Sequence, residues 1–307
     1  MKQLKNDMKS EAIRHHYIPQ FILKNFCFDS SGHVNYFDIE SGEISIHHTN
    51  EIFMRKNLYR DEINHQDIPT QIENDLAKYE SEVAKTIKKF LQGTDIKISD
   101  RENESLLLFL AIMGFRSYNT FKKFSNPRSD SKEFYTHWQS DGDLVDFWKR
   151  NLGLIVNCRS LKEIQNHPSI DAPFKLFMTR DVYGYFGKYL IVLEKRGGED
   201  FLIGDCYPVV LRGNLLNAPI FDYYPLSPNR ILIVASNGVE AAPRSVKKFR
   251  DDLLKPPKRK DGTISIHVNK IYEADVSRIN EDIMEHSQIG VAFKDIDHVT
   301  LPKLNKF

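Results

Sequence analysis

The chain has 307 residues, with 43 Lys and Arg against 42 Asp and Glu for a net charge of +1. No global field draws it to nucleic acid or to an anionic membrane, so contact with either needs a local patch. With 41% hydrophobic residues, 15 Gly and 13 Pro, it has the material for a folded core, which excludes a low-complexity body.

Cysteine is sparse and odd in number: Cys27, Cys158 and Cys206, with no CxxC pair. That excludes a secreted disulfide scaffold and a zinc ribbon, and the expectation is reduced thiols in a cytoplasmic protein. The opening residues Met1–Asp7 hold no apolar run suited to a signal peptide. The longest apolar stretches, Leu106–Met113 and Ile231–Ala235, fall far short of the roughly 20 residues of a membrane span. A soluble protein without a membrane segment is expected.

In chain order, residues 1–11 read as a flexible terminus and 12–300 as a single domain. Gly-containing turns at Asp29–Gly32 and Glu40–Glu43 bracket a β-rich run, and Ile44–Ile46 alternates, so a small antiparallel sheet is expected at about residues 20–60. Thr70–Glu73 reads as a capping box. Behind it, Ile72, Leu76, Tyr79, Val83, Ile87 and Phe90 recur on one helix face, ended by Gly93. Ser99–Glu102 repeats the capping pattern before the apolar run Leu106–Phe115, which predicts a buried helix. Helical character continues to about residue 122 and, after a Ser- and Asp-rich loop, over Leu144–Leu154.

From about residue 173 the texture turns to strands, at Tyr189–Glu194, Phe201–Ile203, Val209–Leu211 and Arg230–Ala235. Tyr223–Pro228 reads as an ordered turn. Ser245–Leu254 and Val276–His286 read as helices, Lys255–Lys260 as a basic loop and Ile264–Val268 as a strand. Strands, helices and strands again predict an α+β fold: central amphipathic or buried helices packed on an antiparallel or mixed sheet built from N-terminal and C-terminal strands. The segment Tyr17–Phe28 is expected to meet Phe201–Leu211.

Five residues stand out chemically. His15 and His16 can ligate a metal or act as acid and base, although neighbours on a strand point to opposite faces. Either one of them faces a site and the other is structural, or one satisfies backbone groups and the rest is a buried strand entry. Asp205, at the end of an apolar strand, is either a ligand or general base or a turn former. Arg116, closing an apolar helix, is either an outward helix-end cation or an anion clamp. Gln20 stands beside the histidines. The exposed pair His47 and His48 carries less. No phosphate-loop, dinucleotide, zincin, nucleophile-elbow or EF-hand pattern occurs.

The run His15-His16-Tyr17-Ile18-Pro19-Gln20-Phe21-Ile22-Leu23-Lys24-Asn25-Phe26 resembles HHYVPQFYLRNF, the opening of a family known as domain of unknown function four-two-three-eight. Asn57-Leu58-Tyr59, Ile72-Glu73, Arg116, Pro225–Pro228 and Asn280 resemble further family positions, so the likeness spans about residues 12–293. Phe201–Val209 resembles FITSDNPV but departs from it. It reads Ile203-Gly204-Asp205-Cys206-Tyr207-Pro208, without the hydroxyls, with the Asn replaced and with one residue added before Pro. The resemblance implies a fold and a set of polar positions, and no mechanism.

Two functional expectations follow. In the first, His15, His16, Gln20, Arg116 and Asp205 converge in a metal-assisted phosphodiesterase or nuclease, with a toxin or phage-defence role by analogy. There a divalent metal sits on His16 and Asp205, Arg116 steadies a phosphate, and the partner is nucleic acid or a nucleotide. In the second, the chain is a non-catalytic binding or regulatory module, and the cluster is a buried hydrogen-bond network. The Lys255–Lys260 loop is then a contact for a protein partner.

Overall fold

The computed structural model describes residues 14–126, 143–183, 188–212, 219–236 and 258–301. The expected flexible terminus, the Ser- and Asp-rich loop and the Ser245–Leu254 helix lie outside them. The chain opens with β1 (Arg14–His16), then α1 (Gln20–Leu23), where Pro19 fixes the entry to a short helical turn. The hairpin β2 (His33–Asp38) and β3 (Ile44–His48) follows, and β4 (Met54–Lys56) returns to pair antiparallel with β1.

The helical middle begins with α2 (Gln71–Gln92). Its expected apolar face is fully buried, each of Ile72, Leu76, Val83 and Ile87 being at most 2% exposed. The capping box expected at its start does not form. Thr70 has φ −94° and ψ 12° instead of an extended backbone, and its side chain makes no cap bond. The box at Ser99 does form: Ser99 accepts from the Glu102 amide, and Glu102 accepts from the Ser99 amide. It follows β5 (Asp95–Ser99) and opens α3 (Asp100–Arg116), buried nearly all round. Next come α4 (Tyr118–Ser125), α5 (Leu144–Val156) and α6 (Leu161–Asn166). Trp148 on α5 is fully enclosed, and its indole donates to the Phe115 carbonyl at 3.1 Å.

The second half departs from expectation in three places. Ala172–Tyr183 is a helix, α7, where strands were expected from about residue 173. Pro173 costs nothing in a first turn, and Phe174 and Met178 bury one helical face four residues apart. Pro219–Ser227 is a strand, β9, that absorbs the turn expected at Tyr223–Pro228; Pro225 is accommodated where the register beside it shifts. Of the basic loop, Lys258–Lys260 forms a sheet-edge strand, β11. Lys255–Pro257 lie outside the described residues.

Between these elements run β6 (Lys188–Lys195), β7 (Ile203–Gly204), β8 (Val209–Arg212) and β10 (Arg230–Ser236). The chain closes with β12 (Thr263–Ile271), α8 (Glu273–His286) and β13 (Gly290–Phe293). The large sheet has the order β11-β12-β6-β10-β9-β8, with β5 also on β12; it is mixed, because β12 runs parallel to β6. A second sheet, β3-β2-β13-β7, is assembled from both chain ends. The fold is α+β. Tyr224 on β9 ties the helices to the large sheet by donating to the Leu110 carbonyl of α3 at 2.9 Å.

Candidate functional site

β1 splits the two histidines as strand geometry requires. His15 is fully buried, stacks on Tyr59 with ring centroids 5.7 Å apart, and accepts from the Tyr59 amide through Nδ1 at 2.8 Å. His16 is half-buried, and its Nε2 is enclosed without a hydrogen-bond partner. Burial, then the charges of Arg116 and Arg14, pull its pKa down to about 4 against the opposing bonds to Thr49 and Asn50. The ring is therefore neutral at pH 7 and a poor general base. Gln20 donates to the Thr49 carbonyl at 2.7 Å, and Asn25 to the Leu226 carbonyl at 2.8 Å.

Arg116 is 1% exposed. Its guanidinium donates to Glu80 on α2, to the His16 carbonyl and to the Tyr59 hydroxyl. Tyr59 in turn donates to the Arg116 carbonyl at 2.8 Å. A second carboxylate, Glu73, stands within reach of this group, with Oε2 enclosed and unpartnered. Burial first, opposed by Arg116 and aided by Glu80, lifts Glu73 from 4.5 to about 7. Folded protein thus holds this proton more tightly than unfolded chain, and stability declines as pH rises through that window. Glu73→Gln is expected to raise the unfolding free energy by about 2–4 kcal/mol at pH 8 and hardly at all at pH 4. Urea titrations at the two pH values check it.

Asp205 sits in the turn after β7 and is 2% exposed. Its Oδ1 accepts from the amides of Gln288, Ile289 and Gly290 at 2.8, 3.1 and 3.4 Å, while Oδ2 is enclosed and unpartnered. The acceptor role expected of a turn former is thus directed across the fold, to the start of β13. Burial raises its pKa in spite of the three amides. Its charge is second only to burial in holding the protons on the Tyr17 and Tyr36 hydroxyls. The hydrogen-bonded contact of the N-terminal segment with the late strands falls on β9, where Asn25 donates to the Leu226 carbonyl, and not on the Phe201–Leu211 stretch that was expected.

Two glycines permit this approach. A Cβ on Gly204 would lie 2.0 Å from the Ser287 hydroxyl, and one on Gly290 would lie 2.3 Å from the Tyr36 ring. Tyr207-Pro208 is a cis peptide bond.

The candidate residues thus form two groups. His15, His16 and Arg116 meet around Tyr59, although His16 joins through its carbonyl and not its ring. Asp205 belongs with Tyr17, Tyr36 and the 288–290 amides. No hydrogen bond joins the His16 ring to Asp205 among the described residues. Among the described residues, no group of three or more His, Cys, Asp or Glu side chains is placed to hold a metal. Reading the sequence missed Glu73 and Glu80. The signal was present: with Leu76, Val83 and Ile87 they follow a three- and four-residue spacing, so two carboxylates lie on the stripe that faces the core.

A cleft of about 200 Å³ opens beside the second group, between α3, α4, the Cys206–Pro208 turn and β9. Cys206 lines it, accepting from the Asn119 amide at 3.1 Å, and burial raises its thiol pKa to about 11. A thiol so protonated at pH 7 is a weak nucleophile.

The family model described as "Protein of unknown function (DUF4238)" matches residues 14–297. No curated protein and no solved structure matches the chain.

Proposed function

The chain belongs to this family of proteins of unknown function, and we propose that it is a non-catalytic binding or regulatory module whose His, Arg and Asp residues form a structural hydrogen-bond network. One observation carries the reading: the family-like polar positions spend their hydrogen bonds on the protein itself. His15 accepts from the Tyr59 amide, Gln20 holds the Thr49 carbonyl and Arg116 holds the His16 carbonyl. Asp205 accepts three amides, and Asn280 accepts from the Leu202 amide while donating to Glu199 and the Asp200 carbonyl. Each bond joins segments distant in the chain, which is what a fold-specifying network does. One domain over 12–300 accommodates it, since an apolar cluster runs from Tyr17 to Ala292. Three free thiols fit a reducing, cytoplasmic setting.

The metal-assisted phosphodiesterase stands as the second reading, because His16 Nε2 and Asp205 Oδ2 are enclosed polar atoms with no partner. No helix among the described residues is long and apolar enough to cross a membrane. The experiment is the purified protein with Mg²⁺, Mn²⁺ or Zn²⁺ against RNA, DNA and nucleotides, with bound metal measured. The network reading expects no turnover and no stoichiometric metal. Turnover that both His16→Ala and Asp205→Asn abolish, without a shift in thermal unfolding, overturns it.

A further inference from the structure

Gly114 is an unusual residue for its place. It lies within α3, three residues after Ala111, where glycine weakens a helix. Its φ is not positive, so the backbone does not demand glycine. Packing does not demand it either: a Cβ there would meet only Pro208 Cγ, at an ordinary 3.9 Å. What the missing side chain does is deepen the floor of the cleft beside Cys206. The Gly114 carbonyl is already taken, accepting from the Ser117 and Thr120 hydroxyls at 2.8 Å each.

The walls of the cleft have a definite chemistry. Phe177, half-buried, supplies aromatic surface, backed by the buried rings of Tyr207 and Tyr224, which meet edge to face at 5.6 Å. Asn119 and Asp222 add an amide and a carboxylate, and Lys123 and His286 bring cationic and imidazole groups from α4 and α8. Aromatic faces select a flat ring. Amide and carboxylate groups select hydrogen-bonding ring edges over a plain hydrocarbon. A volume of about 200 Å³ is the liquid share of about seven water molecules. That is room for one heteroaromatic ring system, below the roughly 300 Å³ at which drug-sized sites begin.

We propose that this cleft binds a single nucleobase, its face on the aromatic wall, its edge toward Asn119 and Asp222, and any attached phosphate at Lys123 and His286. The proposal rests on the binding-module reading and gives that module a ligand class. The base can arrive as a nucleoside or as a nucleoside monophosphate, and the two differ at the Lys123 side.

Calorimetric titration of the purified chain with the four ribonucleosides, their 5′-monophosphates and inorganic phosphate separates the outcomes. At least one nucleoside or monophosphate is expected to bind, and phosphate alone is not. Gly114→Ala fills the floor while favouring the helix, so it is expected to raise the thermal midpoint and to weaken binding at least tenfold. Lys123→Ala is expected to weaken a monophosphate and leave its nucleoside unchanged, if the phosphate form is the ligand. No binding by any nucleoside or monophosphate overturns the proposal. So does phosphate binding as well as the best nucleotide, or Gly114→Ala binding like the parent. Absence of binding leaves the network reading untouched, whereas turnover of a bound nucleotide ends that reading and leaves the cleft occupied.

Discussion

Arg116→Met is expected to lower the unfolding free energy by about 3–5 kcal/mol, measured by urea denaturation at pH 7. The guanidinium is enclosed and serves Glu80, the His16 carbonyl and the Tyr59 hydroxyl together. Removing a buried cation strands its partners, and the stranded charge costs more than the pair contributed. Here two carboxylates are affected. Glu80 loses its ion pair, and Glu73 loses the one charge that offsets its burial. Methionine matches much of the stem's volume, so the loss reports charge and hydrogen bonds in place of a cavity. The guanidinium also bridges α2 and α3 to β1, so its loss removes polar ties between all three.

At Asp205, two substitutions separate an acceptor from a charge. Asp205→Ala is expected to cost about 2–4 kcal/mol, since the amides of Gln288, Ile289 and Gly290 lose their common acceptor in a site closed to water. Asp205→Asn keeps a carbonyl oxygen for those amides and removes a buried charge, so its cost should stay within about 1 kcal/mol. The pH dependence adds a sign. Burial raises the Asp205 pKa, so the folded protein binds this proton more readily than the unfolded chain does. The parent therefore loses stability as pH rises out of the ordinary carboxylate range, and Asp205→Asn lacks that contribution. Thermal melts of the three proteins across that range check both claims. A catalytic carboxylate would behave otherwise, with stability unmoved by Ala and activity destroyed by Asn.

Much of this was legible in the sequence where a local rule decides. The buried faces of α2 and α3 follow from spacing alone, and the Ser99 box follows from Ser and Glu three residues apart. That the N-terminal segment meets late strands was legible in part: Asn25 reaches Leu226 on β9, beyond the Phe201–Leu211 stretch that the sequence pointed to. What failed was local chemistry overridden from a distance. Glu73 has the right spacing to cap α2, yet it lies beside Arg116, 43 positions along the chain. Pro225 argues for a turn on its own, but β10 pairs with it next to a register shift. For Arg116, the outward helix-end cation is overturned, since the side chain is buried. The anions it grips belong to the protein: the spacing puts Glu73 and Glu80 on the core-facing stripe of α2, but does not show which cation 36 to 43 positions away meets them there.

Equilibrium unfolding of Arg116→Met, Glu80→Leu and the double variant tests the network most directly, because the cycle isolates the coupling from each side chain's own burial. If these charges exist to satisfy each other, the double variant recovers at least half of the stability that Arg116→Met loses, and the coupling exceeds about 1.5 kcal/mol. Strictly additive losses, or an Arg116→Met protein as stable as the parent, would mean that Arg116 is held for something other than the fold, and the structural account of this cluster would be wrong.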